Sequence, residues 1–178
     1  MGPTAVTDSL MASRWGKLIN NACMSGMSAA CGATFGEVLD NDRARACLSY
    51  LGNEVKRCCE ACGYQLPELL HEQTPETFDL TDQAMFVANQ QVFLDMYSDM
   101  RAAKASMLQD LEKGRITEVR MINGYVCQVG DQKGIDTPFN DKVVEIVSKI
   151  EQGQLPLDMS SVELFQDQMF PYPLYHVQ

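Results

Sequence analysis

The sequence predicts an all-α domain of six to eight helices. Two observations carry that expectation. Apolar residues recur at steps of three and four along most of the chain. Helix caps and stops punctuate those runs at helix-length intervals. The length of 178 residues matches one domain, at roughly 150 residues per domain.

The first helix is expected from about Ser13 to Ala30, with Trp15, Leu18, Ile19, Ala22 and Cys23 on its apolar face. Lys17, Asn21, Ser25 and Ser28 are expected to share a second, polar face. From Ala44 the stripe Cys47, Leu48, Leu51, Val55, Cys58, Cys59 and Cys62 spans about five turns. Asn41 or Asp42 is expected to cap its start and Gly63 to end it. Residues 63–81, with Pro67 and Pro75, read as irregular. A helix is expected over about Asp82–Met100, and another from Ser106 to before Gly114. Ser106-Met-Leu-Gln109 reads as a capping box, with serine at the N-cap. Val119, Ile122, Val126 and Val129 continue the helical period; a strand over Gly124–Gly130 is the alternative, because Tyr125 and Val126 favour β structure. Gly134 and Pro138 bracket a turn, and Val143, Val144, Ile146, Val147 and Ile150 mark a last helix, ended by Gly153. Residues 1–153 are therefore expected to form one helical domain. Residues 154–178, with Phe165, Phe170, Tyr172 and Tyr175, form an apolar tail expected to pack on it or on a partner.

Composition narrows the function. Against 14 basic residues stand 24 acidic ones, a net charge of −10. A general nucleic-acid binder needs a basic face, and an anionic membrane surface needs a basic partner, so neither is expected. No apolar run reaches the length of a membrane span, and Arg14 and Lys17 interrupt what would be a leader. A soluble, cytoplasmic protein is expected. The seven cysteines are odd in number and suit reduced thiols. Cys58, Cys59 and Cys62 invite a metal reading through the CxxC spacing, but no second pair accompanies them and all three fall on the apolar stripe. They read as core, and no metal is expected. Neither a GxGxxG nor a GxxxxGK[ST] loop is present. His71 and His176 lie in irregular regions and assemble no triad.

Two polar sets remain. Lys17 and Asn21, four apart, put an ammonium and an amide on one helix face; by residue type alone this is an ordinary solvated face. The run from Ser106 to Glu118, followed by Ile122-Asn123-Gly124, places a hydroxyl at a helix start, a natural point for binding a carboxylate. Taken alone, it is equally a simple N-cap and a surface glutamate.

Together the pieces say more. Trp15/Lys17/Asn21, then Ser106-Met-Leu-Gln-Asp with Gly114-Arg-x-Thr-Glu118 and Ile122-Asn-Gly124, then Gly134-Ile-x-Thr-Pro-x-Asn140 resemble the C-terminal domain of the ketopantoate reductase (2-dehydropantoate 2-reductase) family. The resemblance covers roughly Thr4 to Gly153. It implies a helical fold like the C-terminal domain of 6-phosphogluconate dehydrogenase. It also implies an NADPH-dependent oxidoreductase of pantothenate biosynthesis, in which a Rossmann domain and this helical domain enclose the site. By the same resemblance Lys17 is the general acid that protonates the carbonyl oxygen, and Asn21 helps hold substrate and lysine. Ser106 bonds the substrate carboxylate, and Glu118 accepts from the substrate hydroxyl or orients the site. A lysine and a glutamate across a cleft stabilise one another's charge.

Three departures accompany the resemblance. The Rossmann domain is absent from the sequence, so no cofactor-binding residue is expected in this chain and the isolated chain is not expected to turn over. Its partners are expected to be a small 2-oxo acid, a Rossmann domain in cis or in trans, and a second copy in a homodimer. Some members carry asparagine three residues before the serine, where this chain has Ala103, which leaves the identity of the 2-oxo acid open. The aromatic tail is additional. An orphan helical dimerisation or scaffold module, or half of a related 2-hydroxy-acid dehydrogenase, are the alternative readings.

Overall fold

The computed structural model describes residues 3–68 and 74–175, with side chains from residue 10 onward. His71 and His176 lie outside the described residues. Among the described residues eight α-helices appear and no strand, which is the all-α class expected. None of these helices is long and apolar enough to cross a membrane.

Helix α1 (Pro3–Asn20) runs into a single π turn (Asn21–Ser25) and then α2 (Gly26–Cys31). The helix expected from about Ser13 therefore starts a good two turns earlier and carries an inserted π turn. That turn also corrects the expected polar face. Gly26 N–H donates five residues back to the Asn21 carbonyl, so the register slips by one residue. Ser28 consequently turns into the core, where it donates to the Ala33 carbonyl at 2.6 Å. Lys17 and Asn21, on the near side of the slip, stay at the surface and half-buried respectively.

Helix α3 (Phe35–Asp40) starts with a capping box that the sequence reading passed over: Thr34 and Glu37 bond each other's backbone N–H. Asn41 caps α4 (Asp42–Ala61), accepting from Ala44 N–H at 2.9 Å. Gly63 and Gly153 take left-handed backbone angles just beyond α4 and α8 and stop both helices as expected. Helix α4 is the hub. Its buried positions wrap nearly around the helix, because α1, α3, α5, α7, α8 and the π turn all pack against it.

Helix α5 (Gln83–Met96) is capped by Asp82, which accepts from Met85 N–H. Helix α6 (Ser106–Glu112) follows a loop, and here the expected capping box fails. The chain already turns helical at Ser106, so its hydroxyl sits one residue too late to accept from the third helical amide. Ala105 holds the N-cap position and Gln109 bonds the Lys104 carbonyl instead. Helices α7 (Val119–Lys133) and α8 (Pro138–Glu151) form a hairpin across the Gly134 turn, so the strand alternative over 124–130 does not arise.

The segment after Gly153 folds back along α4 and α8. Phe165 is fully buried and stacks on Phe139, with ring centroids 6.1 Å apart. Arg43 donates to the Phe165 carbonyl and to Asp167, both at 2.7 Å. Arg45, buried beneath, donates to the Tyr175 carbonyl at 2.7 Å and to Asp42 and the Leu39 carbonyl at 2.6 Å. Tyr172 N–H donates to the Tyr50 hydroxyl. Two arginines in the first turn of α4 thus strap the tail to the domain.

Candidate functional site

The four residues singled out in the sequence lie on the π turn and on the three helices, α1, α6 and α7, that adjoin it. Lys17 is exposed in the last turn of α1. Asn21 is half-buried at the first position of the π turn. Ser106 is the exposed first residue of α6, and Glu118 is exposed at the N-cap position of α7. Both α6 and α7 pack against the π turn, which also continues α1. Ala103 is half-buried in the loop leading to α6, where its carbonyl accepts from Phe35 N–H at 3.0 Å.

The hydrophobic period explains why the polar groups point outward. Trp15 and Ile19 turn into the core from α1, which leaves Lys17 between them on the opposite side. Beside Lys17 lies a groove of about 320 Å³ lined by Met11, Arg14, Trp15, Leu18 and Tyr125. Trp15 and Tyr125 form its floor across the α1–α7 contact, with ring centroids 6.0 Å apart. None of the four predicted residues is part of that lining.

Beneath this surface runs a buried polar relay that the sequence reading did not assemble. Asn123 on α7 is fully buried and donates through Nδ2 to the Ala22 carbonyl in the π turn at 3.0 Å and to Asn140 Oδ1 at 2.9 Å. Asn140 Nδ2 donates in turn to Glu54 Oε2 at 2.7 Å. The Glu54 carboxylate also accepts the first free N–H groups of α8, from Phe139 and Asn140, each at 2.9 Å. Burial pushes the Glu54 carboxyl up to about 7, against the pull of these three donors and with a further push from Asp141. A signal for Glu54 was present: it falls on the apolar stripe of α4, three residues after Leu51 and four before Cys58. A carboxylate at a core position implies partners inside. Asn123 and Asn140 both stand within the quoted motifs, but only the packing shows that they touch.

Two residues of the cysteine cluster are core, while Cys62, at the C-cap of α4, is only half-buried. Cys58 and Cys59 are fully buried on α4, and burial pushes their thiols to about 11 and about 12 respectively, so both stay protonated. Among the described residues no three His, Cys, Asp or Glu side chains are grouped to hold a metal ion.

Comparison with known proteins places the chain by class. The family profile described as ketopantoate reductase PanE/ApbA C terminal matches residues 9–151. The chain belongs to that family, and its helical fold is the family's C-terminal domain. It is 30% identical over 139 residues to the 2-dehydropantoate 2-reductase of Archaeoglobus fulgidus, covering 78% of this chain and 40% of that one. To the 2-dehydropantoate 2-reductase of Pyrococcus horikoshii it is 25% identical, covering 77% of this chain and 39% of that protein. The chain thus spans about two fifths of the length of these relatives. Among solved structures, a ternary complex of D-mandelate dehydrogenase with NADH and anilino(oxo)acetate shares the fold at TM-score 0.62 and 22% identity, over 80% of this chain and 52% of that one. The PanE/ApbA family ketopantoate reductase from Ralstonia eutropha JMP134 does so at TM-score 0.61 and 24% identity, over 79% of this chain and 41% of that one.

Proposed function

We propose that this chain is the substrate-binding and proton-donating half of an NADPH-dependent 2-dehydropantoate 2-reductase, serving pantothenate synthesis in the cytoplasm as a homodimer. One observation carries the reading: an exposed ammonium, Lys17, stands one turn before Asn21, where α1, α6 and α7 converge.

The chemistry asks for such a group. As a 2-oxo acid is reduced at C2, negative charge develops on the carbonyl oxygen and must be neutralised in the transition state. Lys17 Nζ gives one proton to that oxygen, becomes a neutral amine, and regains its proton from solvent, to which its exposure gives it access. Asn21 orients the carbonyl through its side-chain amide. Ser106 Oγ donates to the substrate carboxylate. Glu118 accepts from the substrate hydroxyl and offsets the charge of the lysine. NADPH supplies the hydride when a nucleotide-binding domain holds it. The described residues form helices and no strand, so they do not build the strand, glycine loop and helix that cradle a dinucleotide. That domain is supplied in cis or in trans.

The test joins this domain to the nucleotide-binding domain of the Archaeoglobus relative and follows NADPH oxidation with a panel of 2-oxo acids. Turnover that Lys17→Ala abolishes supports the reading. A folded fusion with no turnover on any of them sinks it and leaves the helical scaffold as the better account.

A second reading of the substrate is favoured by Ala103. Where some family members carry an asparagine, this chain offers a half-buried methyl. A less polar 2-oxo acid than 2-dehydropantoate suits those surroundings. The same panel ranks the two.

A further inference from the structure

The π turn and α7 are joined by one side chain, and the joint is unusually close. A Cβ on Gly26 would stand 3.0 Å from Asn123 Oδ1 and 3.1 Å from Asn123 Nδ2. The glycine, one residue past the π turn, leaves room for the amide to lie flat on the helix backbone. Asn123 uses that room to donate to the Ala22 carbonyl, inside the π turn, at 3.0 Å. Its other donor contact, to Asn140, ties it through Glu54 to α8 and α4. The amide is fully buried, so no water competes for these bonds.

Both ends of this joint carry candidate site residues. Asn21 opens the π turn and Lys17 lies one turn upstream, while Glu118 sits five residues before Asn123 at the start of α7. The π turn is a register slip, and a slip can relax in either direction unless something holds its carbonyls. We infer that Asn123 is a positioning residue: by clamping the Ala22 carbonyl it locks α7 to the π turn and sets Glu118 against Lys17 and Asn21. The inference rests on the reading of those three residues as the site, but its physical core, the clamp, stands independently of activity.

The test uses the 178-residue chain and solution NMR. Two variants approach the joint from opposite sides. Asn123→Ala removes the donor, and Gly26→Ala keeps the asparagine but crowds its amide off the Ala22 carbonyl. In both, exchange of the Gly26 amide hydrogen should become about tenfold faster or more. The Ala22 carbonyl resonance should move, and the side-chain signals of Lys17, Asn21 and Glu118 should shift or broaden. Amides in the middle of α4 and α5 should keep their protection. An added 2-oxo acid, 2-dehydropantoate as probe, should perturb Lys17, Asn21 and Glu118 in the wild-type chain and at least tenfold more weakly in either variant.

The outcomes separate the two claims. If the Gly26 amide and the three site side chains are unchanged in both variants, the clamp is overturned. It is also overturned if protection falls evenly across α4 and α5, because Asn123 is then only part of general packing. If the clamp signature appears but the wild-type chain shows no response to the probe, the clamp stands and the functional reading fails.

Discussion

Glu54 Oε2 takes two hydrogen bonds from one residue, the Asn140 backbone N–H at 2.9 Å and its side-chain amide at 2.7 Å. This pairing caps α8, holds the Asn140 amide in place for Asn123, and keeps the carboxylate almost entirely buried. It is the anchor of the relay beneath the candidate site.

The anchor gives stability a pH dependence with a definite sign. The Glu54 carboxyl is raised to about 7 in the folded state by burial, above its ordinary value in an unfolded chain. Its contribution is complete below pH about 4.5 and is lost as pH rises through about 7. Glu37, Glu145 and Glu151 are held below the usual range by Thr34, by Lys142 and Lys149, and by Thr117 and Arg120. They contribute the opposite way, with stability lost only as pH falls below about 4.5. Between pH 5 and 8 the titration of Glu54 therefore stands out. Thermal melts should show a falling Tm across that window, and Glu54→Gln should flatten it. A wild-type Tm that rises from pH 5 to 8 would contradict the assignment.

Lys17 is expected to matter to turnover and not to folding. In the domain fused to a nucleotide-binding partner, Lys17→Ala should lower kcat by about a hundredfold or more, the range for loss of a general acid. The Tm should move little, since the side chain is exposed. An unchanged kcat would remove it from the mechanism.

Ser106 and Ala103 should act on substrate binding. Loss of the hydroxyl in Ser106→Ala removes a hydrogen bond to a charged group, so KM for the 2-oxo acid should rise about tenfold or more with a smaller change in kcat. Ala103→Asn restores the amide some family members carry at that place. It should raise kcat/KM for 2-dehydropantoate relative to less polar 2-oxo acids. An unaltered ranking across the panel would show that Ala103 does not face the substrate.

The tail should behave as part of this domain's core. Phe165 is fully buried against Phe139, so Phe165→Ala should cost about 3–5 kcal/mol in urea unfolding. A cost below about 1 kcal/mol would mean the tail packs elsewhere in solution.

Gly52 provides a packing check in the core, where its added Cβ would also approach Cys23 of the π turn. A Cβ there would fall 2.3 Å from Phe78 Cδ1, inside a ring held between α4 and α5. Gly52→Ala should therefore destabilise by about 1–3 kcal/mol despite the better helix propensity of alanine. Calorimetry showing a raised Tm would mean that Phe78 moves aside freely.

The amino-acid order alone determined the longer helices and several of their ends, but not the short α3, the early start of α1, or the end of α5 at Met96 rather than near Met100. The 3.6-residue period of α4, α7 and α8 is local, and so are Asn41, Gly63, Gly134 and Gly153, whose effects act within a turn of the chain. The motif residues Lys17, Asn21, Ser106 and Glu118 could be picked out for the same reason, since a resemblance is read along the chain. The Ser106 box failed because a helix start is decided by where the preceding loop delivers the backbone, and the 101–105 loop is held by α3: Gly36 N–H donates to the Arg101 carbonyl at 2.7 Å and Phe35 N–H to that of Ala103. The π turn was not legible either. Its slip is held by an amide 101 positions away, and a contact of that span leaves no trace in local periodicity. The Glu54–Asn140–Asn123 relay was likewise decided only in three dimensions. Burial makes each of these polar groups costly without its partner, and the partners meet only when α4, α7, α8 and the π turn have packed.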